Sequence, residues 1–178
     1  MPSRSAKIQA VVIGYKNFGE TDRLVTLISQ EFGRIQVLAK GVRKIGSSQI
    51  GSLEPGNLIR SLLVITKSLP ILTQTRLESD TAQVRTQLKT VKHLLQFLEI
   101  INHIFVEEEI DQIQYQRILD IRKLILNHRP QTLVVEALAD LVESLGFARP
   151  NLKLKSLTQY IEELTDRKLK SFEYLTLN

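Results

Sequence analysis

Hydrophobic and polar positions follow two different rules along the chain, and the change falls near residue 80. In the first part the period is two, as in a strand whose side chains alternate between faces. Ile8, Ala10, Val12 and Gly14 alternate with Lys7, Gln9, Val11 and Ile13, so both faces are partly apolar. Asn17-Phe18-Gly19-Glu20 reads as a turn, Leu24–Ser29 as a second strand and Phe32-Gly33 as a second turn. The third strand, Arg34–Lys40, has the cleanest alternation and should turn Ile35, Val37 and Ala39 inward. A long connection, Gly41–Gly56, holds four Gly, three Ser and one Pro. Strands four (Leu58–Lys67) and five (Ile71–Glu78) follow, separated by Ser68-Leu69-Pro70. Five antiparallel strands in about 75 residues, with a long break after the third, predict a small Greek-key barrel of the OB-fold type.

Beyond residue 80 the period becomes helical. Val84, Leu88, Val91, Leu95, Leu98 and Phe105 mark one face of a helix from about Thr81 to Phe105. Ile110, Ile113, Ile118, Ile121 and Ile125 mark a second helix, ending near Asn127-His128. A third follows Pro130, read as a first-turn proline, and stops at Gly146, read as the glycine just past its C-terminus. Its apolar positions are Leu133, Val134, Leu138, Leu141, Val142 and Leu145. A shorter helix covers Ser156–Leu164, with Ser156 as candidate N-cap. Strands followed by helices, without alternation, predict an α+β chain of two modules: an OB-fold domain over 1–79 and an all-α domain over 80–178.

Charge sharpens that division. The 178 residues carry 24 Lys+Arg and 19 Asp+Glu, a net +5. Residues 1–78 hold 11 basic and 5 acidic side chains, a net +6, and the rest hold 13 and 14, a net −1. The whole excess therefore lies on the expected barrel, as suits a partner that is an anionic polymer. Zero cysteine excludes a disulfide scaffold, a thiolate zinc site, an iron–sulfur cluster and a cysteine nucleophile. The longest apolar runs, such as Ala10–Ile13 and Leu62–Ile65, fall far short of the roughly 20 residues of a membrane span. Met1–Ile8 has no apolar core of a secretory signal. The expectation is a soluble, cytoplasmic protein with no membrane partner.

No catalytic or metal-binding pattern emerges. His93 and His103 lie ten residues apart, about 15 Å along a helix axis, and no histidine lies three or four residues from another. The cluster Glu107-Glu108-Glu109-Ile110-Asp111 precedes the second helix, where negative charge favours a helix start without any metal. Gly41-Val-Arg-Lys-Ile-Gly46-Ser47-Ser48 nearly matches a phosphate-binding P-loop, but Ser47 replaces the lysine and no helix is expected after it. The sequence thus offers no catalyst, no metal site and no cofactor.

Basic and aromatic positions remain. Lys40, Arg43 and Lys44 cluster where the third strand leaves into its glycine-flanked loop; Arg34 stands on that strand, and Lys16 precedes the first turn. Phe18 and Phe32 lie near strand ends, where a ring could stack on a base, although each could equally be core. Such a set suits a single strand held without sequence readout. Taken alone it suits RNA, tRNA or an acidic protein tail as well.

The run Ala10-Val-Val-Ile, Phe18-Gly-Glu-Thr-Asp22-Arg-Leu-Val-Thr-Leu-Ile-Ser, Glu31-Phe-Gly-Arg-Ile-Gln-Val-Leu-Ala-Lys-Gly-Val-Arg43-Lys44, continued by Ser47, Ser48 and Leu53-Glu54-Pro55, resembles the N-terminal signature of the bacterial RecO recombination family. Leu141–Pro150 and Leu157–Ser171 resemble that family's later helices. The resemblance implies an OB-fold followed by a helical domain. It also implies binding of single- and double-stranded DNA and ATP-independent strand annealing. It further implies work with RecR and the single-strand-binding protein (SSB) to load RecA, which is thus an indirect partner. Under it, Lys16, Arg34, Lys40, Arg43 and Lys44, with Phe18 and Phe32, are expected to contact DNA. A receptor for the acidic, apolar SSB tail needs an apolar groove rimmed by cations, for which Arg122, Lys123 and Arg129 are candidates. Many members carry four zinc-binding cysteines. This sequence passes through Pro150-Asn-Leu-Lys-Leu-Lys155 to the last helix without one, and is shorter than typical members.

Overall fold

A computed structural model describes residues 5–106, 110–151 and 153–171. Five strands, β1 (Ser5–Phe18), β2 (Asp22–Ser29), β3 (Gly33–Ala39), β4 (Leu58–Val64) and β5 (Ile71–Ser79), close a barrel in the order β1-β2-β3-β5-β4. All neighbours are antiparallel except β3 and β5, whose parallel pairing of Leu38 with Ile71 closes the barrel. This is the expected OB-fold. The 14-residue β1 pairs with both β2 and β4, and a register shift between Val12 and Gly14 lets it bend from one partner to the other.

Alternation decides the core. On β3, Gly33, Ile35, Val37 and Ala39 are buried while the residues between them are half-exposed, as the sequence requires. They meet Ile8, Ala10 and Val12 of β1, Val25 and Leu27 of β2, and Ile59 and Leu63 of β4. Cutting one of the fully buried leucines, such as Leu27, to alanine would cost about 2–5 kcal/mol. Two further core residues, Val42 and Leu53, come from the β3–β4 connection. That connection is therefore pinned at both ends.

Two strand limits depart from expectation. β1 runs on to Phe18, because Tyr15–Phe18 keep pairing with Asp22–Val25, so the turn shrinks to Gly19–Thr21. β4 stops at Val64, which leaves Lys67 on the β4–β5 loop. The barrel unit, residues 1–81, also takes in 105–110. Arg34 N donates to Val106 O at 3.0 Å and Ile110 N to Gln30 O at 3.0 Å.

The helical unit holds residues 82–104 and 111–178. Its helices are α1 (Leu88–Ile104), α2 (Gln112–Leu126), α3 (Gln131–Ser144) and α4 (Leu154–Thr165). α1 and α3 each pack on α2 and α4. The expected first helix begins late, since only a 3₁₀ turn, Val84–Thr86, forms before Leu88. Its buried face also differs: Leu94, Phe97, Leu98, Ile100 and Ile101 are buried, whereas Leu88 and Leu95 are exposed. On α2, Tyr115, Ile118, Ile121 and Ile125 are buried and Ile113 is exposed. The cap of α2 is Asp111, whose side chain accepts from Gln114 N at 2.8 Å; Glu107–Glu109 lie outside the described residues. Pro130 is the N-cap of α3 and not its first residue, and Gly146 follows the helix at φ +88°, as expected. The N-cap of α4 is Lys153, so Ser156 lies inside the helix.

Candidate nucleic-acid interface

Strand register brings three connections to one end of the barrel. Arg23 pairs with Ala39, Leu38 with Ile71, and Ile71 with Val64. The β1–β2 turn, the start of the β3–β4 connection and the β4–β5 loop therefore open from the same rim. Two of these sites, the β1–β2 and β4–β5 loops, are where OB-folds hold oligonucleotides.

The rim is basic. Lys40, Arg43 and Lys44 are exposed at the start of the β3–β4 connection, and Lys16 is exposed near the end of β1. Arg43 ties the connection to the turn twice: its Nη1 donates to Gly19 O at 3.2 Å and its backbone N to Thr21 O at 2.8 Å. Gly41 begins the connection at φ +65°, a left-handed conformation strained for other residues. Its N–H donates to Asp22 Oδ1 at 2.7 Å. That bond, then the Thr21 hydroxyl and then Lys40 and Lys44 hold the Asp22 carboxyl below its ordinary pKa. Lys44 N donates back to Gly41 O at 3.1 Å, so the basic segment is a sequence of turns and not an extended strand.

Apolar groups stand among these cations. Phe18 is 52% exposed beside the turn, and Ile45 at the tip of the connection is fully exposed. A ring or branched side chain in water beside lysines and arginines can meet a base face while the cations meet phosphates.

The remaining candidates lie elsewhere. Arg34 sits at the opposite end of β3, six residues and about 20 Å from Lys40, and its Nε donates to Phe105 O at 2.9 Å. Phe32, at the same far end, packs against the barrel core, which makes it a structural ring. In the helical unit, Lys123 and Arg129 are exposed, but Arg122 is 5% exposed on the buried side of α2 and so cannot stand on a rim. Among the described residues, no group of three metal-ligating side chains converges.

Two contributors carry little signal in the sequence. The alternation places Lys67 at the end of a strand; the structure exposes it on the β4–β5 loop, whose Pro70 O accepts from Leu38 N at 2.8 Å. Its neighbours Ser68-Leu69-Pro70 were the available signal, since a proline cannot continue the ladder. Arg23 is 7% exposed and stacks on Tyr15, 3.6 Å from the ring centroid. No local pattern marks it, because a strand's inward arginine at a barrel mouth looks like any alternating cation.

The closed five-stranded barrel, its basic rim and the helices after it define an OB-fold protein with an appended helical unit. Residues 1–79 match the family model described as the recombination protein O N terminal. Curated relatives bear the name DNA repair protein RecO. That of Moorella thermoacetica is 27% identical over 167 residues, which cover 91% of this chain and 58% of the relative. That of Roseiflexus sp. is 32% identical over 109 residues, 61% of this chain and 38% of the relative. That of Desulfitobacterium hafniense is 45% identical over 65 residues, 36% and 24%. Residues 1–79 are thus similar to the RecO N-terminal domain, and the likeness of the chain to RecO that its residues carry is borne out. The chain spans between about a quarter and three fifths of the length of these relatives.

Proposed function

We propose that the chain serves DNA repair as a non-enzymatic mediator. Its barrel rim holds the backbone of single- and double-stranded DNA and lets complementary strands anneal without ATP. With RecR, it assists RecA loading on SSB-coated strands. The observation that carries this reading is the gathering of Lys16, Lys40, Arg43, Lys44 and Lys67 on one barrel rim with Phe18 and Ile45 exposed among them. Diffuse cation–phosphate contacts neutralise charge and leave base edges free, which annealing requires. The relatives' name, DNA repair protein RecO, supports the biological setting.

The test is oligonucleotide titration over a salt series. With about four phosphates engaged on a single strand, log K should fall against log[salt] with a slope near −3. Lys40→Glu with Arg43→Glu should weaken binding regardless of sequence. Salt-independent affinity, or unchanged binding by the double variant, refutes the site. An annealing assay on SSB-coated oligonucleotides, without nucleotide and with or without RecR, then tests the mediator role.

A second reading concerns the helical unit as an adaptor. A cleft between α1 and α3 is lined by Phe97, Ile100, Val134, Val135 and Leu138, with His93, Gln96 and Gln131 also along it. Lys89 and Lys92 lie close enough to His93 to act on its charge. Apolar walls beside lysines fit an acidic tail that ends in apolar residues, as in SSB. A labelled tail peptide should bind the wild type and lose affinity in Lys89→Glu with Lys92→Glu. A peptide that ignores both the wild type and the variant rejects the receptor role.

A further inference from the structure

Asp22 and Arg23 are consecutive residues at the start of β2, and strand alternation sends their side chains to opposite faces. Both reach the β3–β4 connection, but at different ends of it. Asp22 Oδ1 accepts from Gly41 N at 2.7 Å, beside the buried Val42. Arg23 Nη1 lies 3.4 Å from Glu54 Oε1 and 3.5 Å from Ile50 O, beside the buried Leu53. Between these two ties runs the segment that carries Arg43, Lys44 and Ile45.

A buried guanidinium is an expensive device here. Taking that cation out of water costs several kcal/mol unless partners replace the lost hydration. Arg23 has the face of Tyr15 and the Glu54 carboxylate, yet its buried Nε finds no acceptor among the described residues. An aliphatic side chain would fill the barrel mouth without that cost, but it could not hold Glu54 and a loop carbonyl. The asymmetry with Asp22 is equally telling. A carboxylate among Lys40 and Lys44 opposes the approach of phosphate, so its place on the rim calls for a compensating purpose.

We infer that Asp22 and Arg23 form a two-point clasp that pre-shapes the basic connection for the DNA backbone. They are positioning residues: neither touches DNA, and each fixes one end of the segment that does. The inference rests on the rim being the DNA site. A connection already held in its binding shape loses less chain entropy when DNA arrives.

The test uses the full chain and two readouts. Amide hydrogen exchange without DNA reports the clasp itself at Gly41, Arg43 and Lys44. Titration with a single-stranded oligonucleotide over a salt series reports its consequence. Asp22→Ala and Glu54→Ala should speed exchange in the segment and weaken binding about five- to tenfold, with the salt slope unchanged because the phosphate contacts remain. Asp22→Asn keeps an acceptor for Gly41 and removes a charge that repels phosphate, so it should retain protection and bind at least as tightly as wild type. Exchange unchanged in both alanine variants overturns the clasp, whatever DNA does. Faster exchange with wild-type affinity overturns the positioning role, provided that Lys40→Glu with Arg43→Glu still weakens binding. If that charge reversal has no effect, the rim itself is not the DNA site and the clasp loses its purpose with it.

Discussion

At the residue scale, two phenylalanines that look alike in sequence have opposite fates. Both adjoin a glycine at a strand end, yet Phe18 is half in water and Phe32 lies against the barrel core. Local pattern could not separate them, because the choice depends on which barrel face each turn closes over. Phe18→Ala should leave the melting temperature nearly unchanged and weaken single-strand binding by about 1–3 kcal/mol, the range for a lost base–aromatic stack. Phe32→Ala should destabilise the fold by about 2–4 kcal/mol through lost packing, with little effect on affinity in the molecules that remain folded. Thermal denaturation and oligonucleotide titration of the same two variants check both. An affinity loss confined to Phe32→Ala would reverse the assignment. The cations divide in the same way. Lys40, Arg43 and Lys44 are legible as a cluster because they fall within residues 40–44 of the chain, whereas the length of β3 separates Arg34 from them.

At the scale of elements, strands were read more accurately than helix faces. An inward-outward alternation such as that of Ile35, Val37 and Ala39 leaves one choice of buried face. The first helix has apolar residues on several sides, and the stripe through Leu88, Val91 and Leu95 competes with the buried one through Leu94, Phe97, Leu98 and Ile101. Only packing against α2 and α4 decides between them. That packing has an electrostatic consequence. Burial pushes the His93 pKa below its ordinary 6.5, with Lys89 and Lys92 adding to the effect and a hydrogen bond donated to the Gln131 side chain opposing it. Burial also lowers His103, helped by Arg167 and opposed by Glu99 and Glu162. A histidine whose folded pKa is depressed takes up more protons when unfolded, so stability rises with pH between the folded and unfolded values. The helical unit should therefore lose stability as pH falls below about 6.5, and should stop losing it once the pH passes the folded pKa values. Denaturant midpoints followed by helical circular dichroism from pH 7.5 to 5 check this, and His93→Gln should flatten the slope. A wild-type midpoint that climbs on acidification contradicts it. The ends of the helices invite simpler tests. Asp111→Ala removes the bond to Gln114 N and should cost about 1 kcal/mol. Gly146→Ala places a side chain at φ +88° and should cost about 1–2 kcal/mol.

At the scale of the molecule, net charge is where sequence and structure meet most directly. The +6 of residues 1–78 could have been spread over a whole barrel surface. Five of the exposed cations stand at a single rim, whereas Lys7, Arg60 and Arg76 are exposed along the strands, with Arg60 paired to Glu78 at 2.7 Å, and Arg23 at the barrel mouth and Arg34 on Phe105 O are engaged within the fold. Sequence could show the excess but not this partition, since each of these arginines lies on a strand and looks equally available. A field concentrated at one rim should act on association as well as affinity, because it raises the local concentration of an anionic polymer where the contacts form. Charge changes elsewhere should act less, as exposed charges farther apart than about 8–10 Å are screened at physiological salt. Two variants of equal charge change separate these effects. Lys40→Glu with Lys44→Glu should slow oligonucleotide association and make the affinity less dependent on salt, because two cation–phosphate contacts are lost. Arg60→Glu with Arg76→Glu, the same change of −4 on a cross-strand pair about 13 Å along β4 from Val64, should leave both association rate and affinity within about twofold of wild type. Stopped-flow association at two salt concentrations reads both. Equal slowing by the two variants would mean that overall charge, and not the rim, governs the encounter with DNA.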